Sequence, residues 1–295
     1  MDIFAKYHPL VNFLYFLLVI TASMLIDHPV SIVISFVCAF AYAVQTEGIK
    51  AVMFALKICL PVMLLTAVFN PAFSHQGVTI LTYLPTGNPL TMESLLYGAS
   101  AGAVMATVML WFLNFNRVIT SDKVVYLFGK MIPALSLVIS MSLRFVPKFK
   151  RQMDTVAEAQ YSLETDTSGG GLISKLKNAA KVLSVTVTWA LENAIETADS
   201  MKSRGYGLKG RTAFSIYRFD DRDKAAMAYL IFCGWYVTAG EISSAFYFRY
   251  FPSVRGMAIN AVTLSFQLVY LAMCAMPVVI NVLEERKWKA IRLKM

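Results

Sequence analysis

Leu95–Phe115 reads LLYGASAGAVMATVMLWFLNF, a run without a single Asp, Glu, Lys or Arg. Crossing about 30 Å of hydrocarbon takes roughly 20 apolar residues as a helix, so this stretch is long enough to span a bilayer. Five further apolar runs approach or exceed that length: Leu10–Ile26, Val30–Val44, Ile49–Phe69, Ala225–Ala239 and Met257–Leu283. The second and fifth in chain order, Val30–Val44 and Ala225–Ala239, read as short. The whole chain agrees with its spans, because 57% of its 295 residues are hydrophobic and 15% charged, too apolar for an ordinary soluble domain. The first run has Lys6 nearby and no small-residue cleavage pattern, so it reads as a span and not a leader. The expected fold class is an all-α integral membrane protein with about six transmembrane helices, in a range of about five to seven.

The formal net charge is +9, and its distribution points to membrane orientation, not to nucleic acid. Of the 27 basic residues, 17 fall between Arg117 and Lys224, and Arg286, Lys287, Lys289, Arg292 and Lys294 follow the last span. By contrast, Asp27-His28-Pro29 and the interval Asn70–Thr91 contain no Lys or Arg. An even number of spans with both termini in the cytoplasm satisfies this asymmetry. The Asn70–Thr91 loop, with Pro71, Gly77, Pro85, Gly87, Asn88 and Pro89 around the apolar Val78–Leu84, reads as an ordered turn structure.

The basic interval is too long for a loop and too regular for disorder. Leu172, Leu176, Ala179, Leu183, Val187, Leu191, Ala194, Ala198 and Met201 recur every three or four residues and define one face of a helix, roughly 45 Å long. Its middle, Val182–Leu191, is apolar almost all round and is expected to be buried, with ends that meet water. A second long helix precedes it, from apolar Leu135–Val146 through Lys148, Lys150 and Arg151 to Glu158, Gln160 and Glu164. Gly169, Gly170 and Gly171 form a mobile joint between the two. No Gly-Lys-Ser/Thr follows these glycines, so they do not form a phosphate loop. The expected organisation is a membrane region with four spans at residues 1–116, a cytoplasmic region at 117–224, and a region with two spans and a basic tail at 225–295.

Metal and redox chemistry find little support. Cys38, Cys59, Cys233 and Cys274 lie singly within apolar runs and read as packing residues. His8, His28 and His75 are far apart and near helix ends, as structural residues would be. Glu47, Glu93 and Asp122 stand alone, without the paired acid and base of a membrane-embedded lipid-modifying enzyme. Lys57 is the clear ionisable residue within a span, and no repeated halves accompany it as they would in a secondary transporter. It reads as a snorkelling or helix-pairing lysine.

The helix that begins at Leu172 ends in Ala198-Asp199-Ser200-Met201-Lys202-Ser203-Arg204-Gly205-Tyr206-Gly207. Locally, Arg204 complements the negative helix end and Gly205 supplies a left-handed cap. A capped end is also a rigid place from which to present a guanidinium to a partner's carboxylate or carbonyl groups. Both readings stand together.

With these residues the chain resembles the transmembrane T component of energy-coupling-factor (ECF) transporters, the CbiQ-like proteins. The resemblance covers nearly the whole chain, and its most specific part is Ala-Asp-Ser-Met-Lys-Ser-Arg-Gly-Tyr, similar to the family's second Ala-Arg-Gly motif with Ser203 in the alanine place. It implies that Ser203, Arg204 and Gly205 dock into a groove of an ABC-type ATPase subunit. The family's first motif would lie just after Ala159-Gln160, where this chain reads Ser162-Leu163-Glu164 and the arginine is missing. Either this end contacts its ATPase through apolar and polar groups, or the two ATPases differ from each other. The resemblance further implies two coupling helices, two ATPase partners that bind ATP and Mg, no cofactor on this chain, and no catalysis by it. It also implies a small substrate-binding membrane protein, the S component, as partner, and uptake of a vitamin or a transition-metal ion such as cobalt or nickel across the inner membrane.

Overall fold

The computed structural model describes residues 2–74, 77–83, 89–129, 133–163, 172–208, 217–256 and 260–292. After a single 3₁₀ turn at Phe4–Lys6, the described helices are α1 (Pro9–Leu25), α2 (Pro29–Glu47), α3 (Ile49–Phe54), α4 (Leu60–Phe73), α5 (Met92–Val118), α6 (Ser121–Gly129), α7 (Pro133–Leu163), α8 (Leu172–Ser203), α9 (Asp221–Ile242) and α10 (Ala261–Arg292). A π-helical turn, Ala55–Cys59, joins α3 to α4. The described residues also form two small antiparallel hairpins: β1 (Ile80–Tyr83) with β2 (Pro89–Thr91), and β3 (Phe248–Arg249) with β4 (Arg255–Gly256). The chain divides into two compact units, one of Met1–Val124 with Tyr217–Met295 and one of Val125–Ile216.

The first unit is an all-α membrane bundle. Five of its described helices are long and apolar enough to cross a bilayer, and α1, at 17 residues, is a shorter apolar helix beside them. The expected short spans are therefore corrected: α2 has 19 residues and α9 has 22. Polar residues prolong both, because backbone hydrogen bonding continues where apolar composition stops. In α9 this is visible as a capping box, in which Asp220 and Asp223 each accept from the other's end of the first turn. Asp223 also accepts the backbone N–H of His8 at 3.0 Å, tying the start of α9 to the start of α1. His8 and His28 are helix N-caps whose Nδ1 atoms accept from Leu10 and Val30, while His75 lies outside the described residues.

Polar side chains hold the bundle together at depth. Ser23 of α1 and Ser35 of α2 meet at 2.7 Å, the Tyr270 hydroxyl of α10 approaches Ser23 at 3.2 Å, and the Trp111 indole of α5 donates to Ser35 at 2.8 Å. Four helices thus satisfy one another where no water is at hand. Around this network pack Tyr15, Phe16, Leu110 and Met273, all buried. The N-terminal turn plugs the same bundle: Phe4 is fully buried, the amides of Ile3 and Phe4 donate to Asn281, and Tyr42 donates to Asp2 at 2.8 Å. Lys123 of α6 donates to the carbonyls of Ala5 and Val118 beside it. The four cysteines are free thiols, three of them buried.

The third span differs from the rest. Its most apolar stretch is 6% buried, against 33% for the other four long spans. What contact it has is close, because Gly98 and Gly102 of α5 let the α4 backbone approach; a Cβ at Gly98 would lie 2.8 Å from the Thr66 carbonyl oxygen. Pro61 explains the π turn, since it has no N–H to give the carbonyl of Lys57 four residues earlier. Lys57 itself is exposed on this turn and pairs with no described residue. Glu93, in contrast, is buried and accepts from both the backbone and the hydroxyl of Thr79, fastening the first hairpin to α5.

The second unit is a pair of long helices, α7 and α8. Lys148 donates to Asn193 at 2.9 Å, and the Phe149 and Trp189 rings meet edge to face at 5.9 Å. One residue forward on α7 thus matches four back on α8, so the helices run past each other in opposite directions. The expectation that the middle of α8 is buried is corrected. Leu183, Val187 and Leu191 are 55%, 48% and 63% exposed. The row that turns inward is Val182, Thr186, Asn193, Thr197 and Met201, and one neighbouring helix can cover only one such row of a helix that is apolar on several sides. The proposed joint at Gly169, Gly170 and Gly171 lies outside the described residues.

Candidate functional site

The end of α8 is built by its own backbone. Gly205 adopts φ +78°, a left-handed conformation that suits glycine. Its N–H donates to the carbonyl of Lys202 at 2.9 Å, and the Tyr206 N–H reaches back to Met201 at 3.0 Å. These two bonds are a Schellman cap with Arg204 as the last half-helical residue. Ser203 turns its hydroxyl onto the Ser200 carbonyl at 2.9 Å. The local reading of Ser203, Arg204 and Gly205 as a helix stop is therefore what the backbone adopts, and the stop leaves the Arg204 side chain exposed.

That side chain opens onto a groove of about 560 Å³ between the first half of α7 and the last half of α8. Arg144 and Lys148 line it from α7, Arg204 and Glu196 from α8, with Met141, Phe145 and Met201 among its apolar walls. Lys148 is held in place, bonded to Asn193 and 5.2 Å above the Trp189 ring. Neither the Arg144 nor the Arg204 guanidinium has a hydrogen bond or ion pair with a described residue. Among the described residues, three cations thus share the groove with one carboxylate.

The first motif is elsewhere. Gln160 and Ser162 ride the last turn of α7, Leu163 closes that helix, and Glu164 lies outside the described residues. The Ser162 hydroxyl donates to the Glu158 carbonyl at 2.9 Å. Because α7 and α8 run oppositely, Gln160 and Arg204 lie on the order of 30 Å apart, each about eleven residues beyond the Lys148–Asn193 contact. The two motifs do not form one site. Arg144 is the residue that sequence reading passed over, since it sits inside the apolar run Leu135–Val146. Its one signal is its place four residues before Lys148, on the same helix face.

No family model matches the chain. Curated relatives do. An energy-coupling factor transporter transmembrane protein of Lactobacillus helveticus is 36% identical over 110 residues, 37% of this chain and 40% of that protein. A second, from Listeria monocytogenes, is 27% identical over 210 residues, 65% of this chain and 77% of the relative. The Bacillus subtilis protein of the same name is 31% identical over 98 residues, 33% of this chain and 37% of its own length. In the first and third of these the match spans well under half of the relative. With its bundle of long apolar helices, the chain is a multi-pass membrane protein similar in sequence to the energy-coupling factor transporter transmembrane proteins.

Proposed function

We propose that this chain is the transmembrane coupling subunit of an ECF-type importer, transmitting ATP-driven motion of two ABC-type ATPase subunits to a small substrate-binding membrane protein. The observation that carries the reading is the capped end of α8, which fixes Arg204 on a rigid helix and leaves its guanidinium exposed and without a partner among the described residues. A ready-made cation on a stiff lever is what a mechanical contact with a partner's carboxylates or carbonyls requires. The names of the relatives point the same way. In this reading α7 and α8 are the coupling helices, the ATPases bind ATP and Mg, and the chain itself catalyses nothing. The cargo is a vitamin or a transition-metal ion. The chain resides in the cytoplasmic membrane with both termini inside, as the clustering of Lys and Arg favours.

Affinity purification of the chain from its native membrane in mild detergent tests this. ATPase subunits and a small membrane protein should co-purify, and Arg204→Ala should release the ATPases while the chain keeps its helical content. A chain that purifies alone, or an Arg204→Ala variant that retains its ATPases, refutes the docking assignment.

A further inference from the structure

We infer that Arg144 is a second docking arginine, and that the groove between α7 and α8 takes a carboxylate-bearing segment of an ATPase subunit between Arg144 and Arg204. The inference rests on the reading of Arg204 as a docking residue and extends it to a residue on the other helix.

The groove's own charges argue for an anionic occupant. Arg144, Lys148 and Arg204 face one space, and Glu196 is the carboxylate among its described lining residues. Like charges so placed repel one another. Lys148 is already engaged by Asn193 and Trp189, whereas the two guanidiniums have no hydrogen-bond partner among the described residues. Each guanidinium can grip a carboxylate with two parallel hydrogen bonds. The remaining wall is apolar, with Met141, Phe145 and Met201, so an occupant with a carboxylate beside an apolar side chain would satisfy both chemistries. A protein segment meets that description, and methionines let the wall adapt to it.

The test measures the affinity of the detergent-solubilised full chain for the ATPase subunits that co-purify with it, using Arg144→Ala, Arg144→Lys, Glu196→Gln and Arg204→Ala, with Lys150→Ala as an exposed control. Arg144→Ala is expected to weaken binding about tenfold or more, as truncating an interfacial arginine does. Arg144→Lys should not restore it, because an ammonium cannot make the bidentate contact. Glu196→Gln should tighten binding by removing the groove's own negative charge, and it gives a readout even if Arg144→Ala folds poorly. Arg144→Ala within twofold of wild type and Glu196→Gln without effect, while Arg204→Ala releases the ATPases, overturns this inference and leaves the docking of Arg204 standing. If neither arginine matters, both readings fall. Native mass spectrometry with added phosphatidylglycerol covers the rival occupant: lipid retention lost in Arg144→Ala, with ATPase affinity unchanged, would assign the groove to a lipid phosphate instead.

Discussion

The backbone N–H of Tyr206 donates to the carbonyl of Met201 across 3.0 Å, five residues back, and this bond closes α8. It separates two roles that the sequence left superimposed. The cap belongs to the backbone and to Gly205, so it does not draw on the Arg204 side chain. Substitutions can therefore divide stability from docking.

Gly205→Ala should cost about 1–2 kcal/mol of local stability, since a Cβ disfavours the left-handed backbone, and it would also lie 3.0 Å from Leu208 Cδ1. Hydrogen exchange should quicken at residues 200–206. Arg204→Ala should leave those amides protected and weaken ATPase docking by about 2–5 kcal/mol. Unchanged exchange in Gly205→Ala would count against the cap.

Gly102→Leu should separate α4 from α5. A Cβ there would collide with Thr66 Oγ1 and lie 2.9 Å from Met63 Cα, with the rest of the side chain still to place. Overpacking of this kind costs about 1–3 kcal/mol. The thermal midpoint in detergent should fall, and a cysteine pair engineered across α4 and α5 should cross-link less. A variant that melts like wild type would mean that the close approach contributes little.

Ser35→Ala removes the acceptor of the Trp111 indole and the partner of Ser23. A loss of about 1–2 kcal/mol is expected, near the upper end for hydrogen bonds within membrane bundles. Ser23→Ala and Ser35→Ala together should cost less than the sum of the two, because they share one bond. Strict additivity in denaturation of the double mutant would show the two hydroxyls to be energetically independent.

His28 introduces a dependence on pH. Burial lowers its pKa from the ordinary histidine value, and its Nδ1 must be unprotonated to accept from Val30. With the folded pKa below the unfolded one, the unfolded chain binds more protons between the two. The stabilisation is therefore complete above the unfolded pKa, about 6.5, and is lost as pH falls through the folded value. His28→Asn keeps a capping oxygen without titrating in this range. Thermal melts between pH 7.5 and 5 should fall more steeply for wild type than for His28→Asn; parallel curves would refute the assignment.

Much of the membrane bundle could be read from the chain because a bilayer leaves few options. Hydrocarbon demands long apolar runs and satisfies no backbone group, so Leu95–Phe115 had little choice but to be a helix. The helix stop at Gly205 was equally legible, being a matter of one residue's φ and two neighbouring carbonyls. Boundaries were less so: Asp220 and Asp223 extend α9 beyond its apolar run by hydrogen bonds that hydropathy does not register.

Sequence by itself determined that this protein is helical, that it spans a membrane several times, and that Arg204 stands at a capped helix end, because these follow from local composition and backbone chemistry. Tertiary structure decided which face of α8 turns inward, since Val182–Leu191 is apolar on more sides than one partner helix can cover. It also decided that Arg144 and Arg204, 60 positions apart, share one groove. No local pattern encodes that meeting, which arises from the opposed course of α7 and α8 and the register set by Lys148 on Asn193 and Phe149 on Trp189.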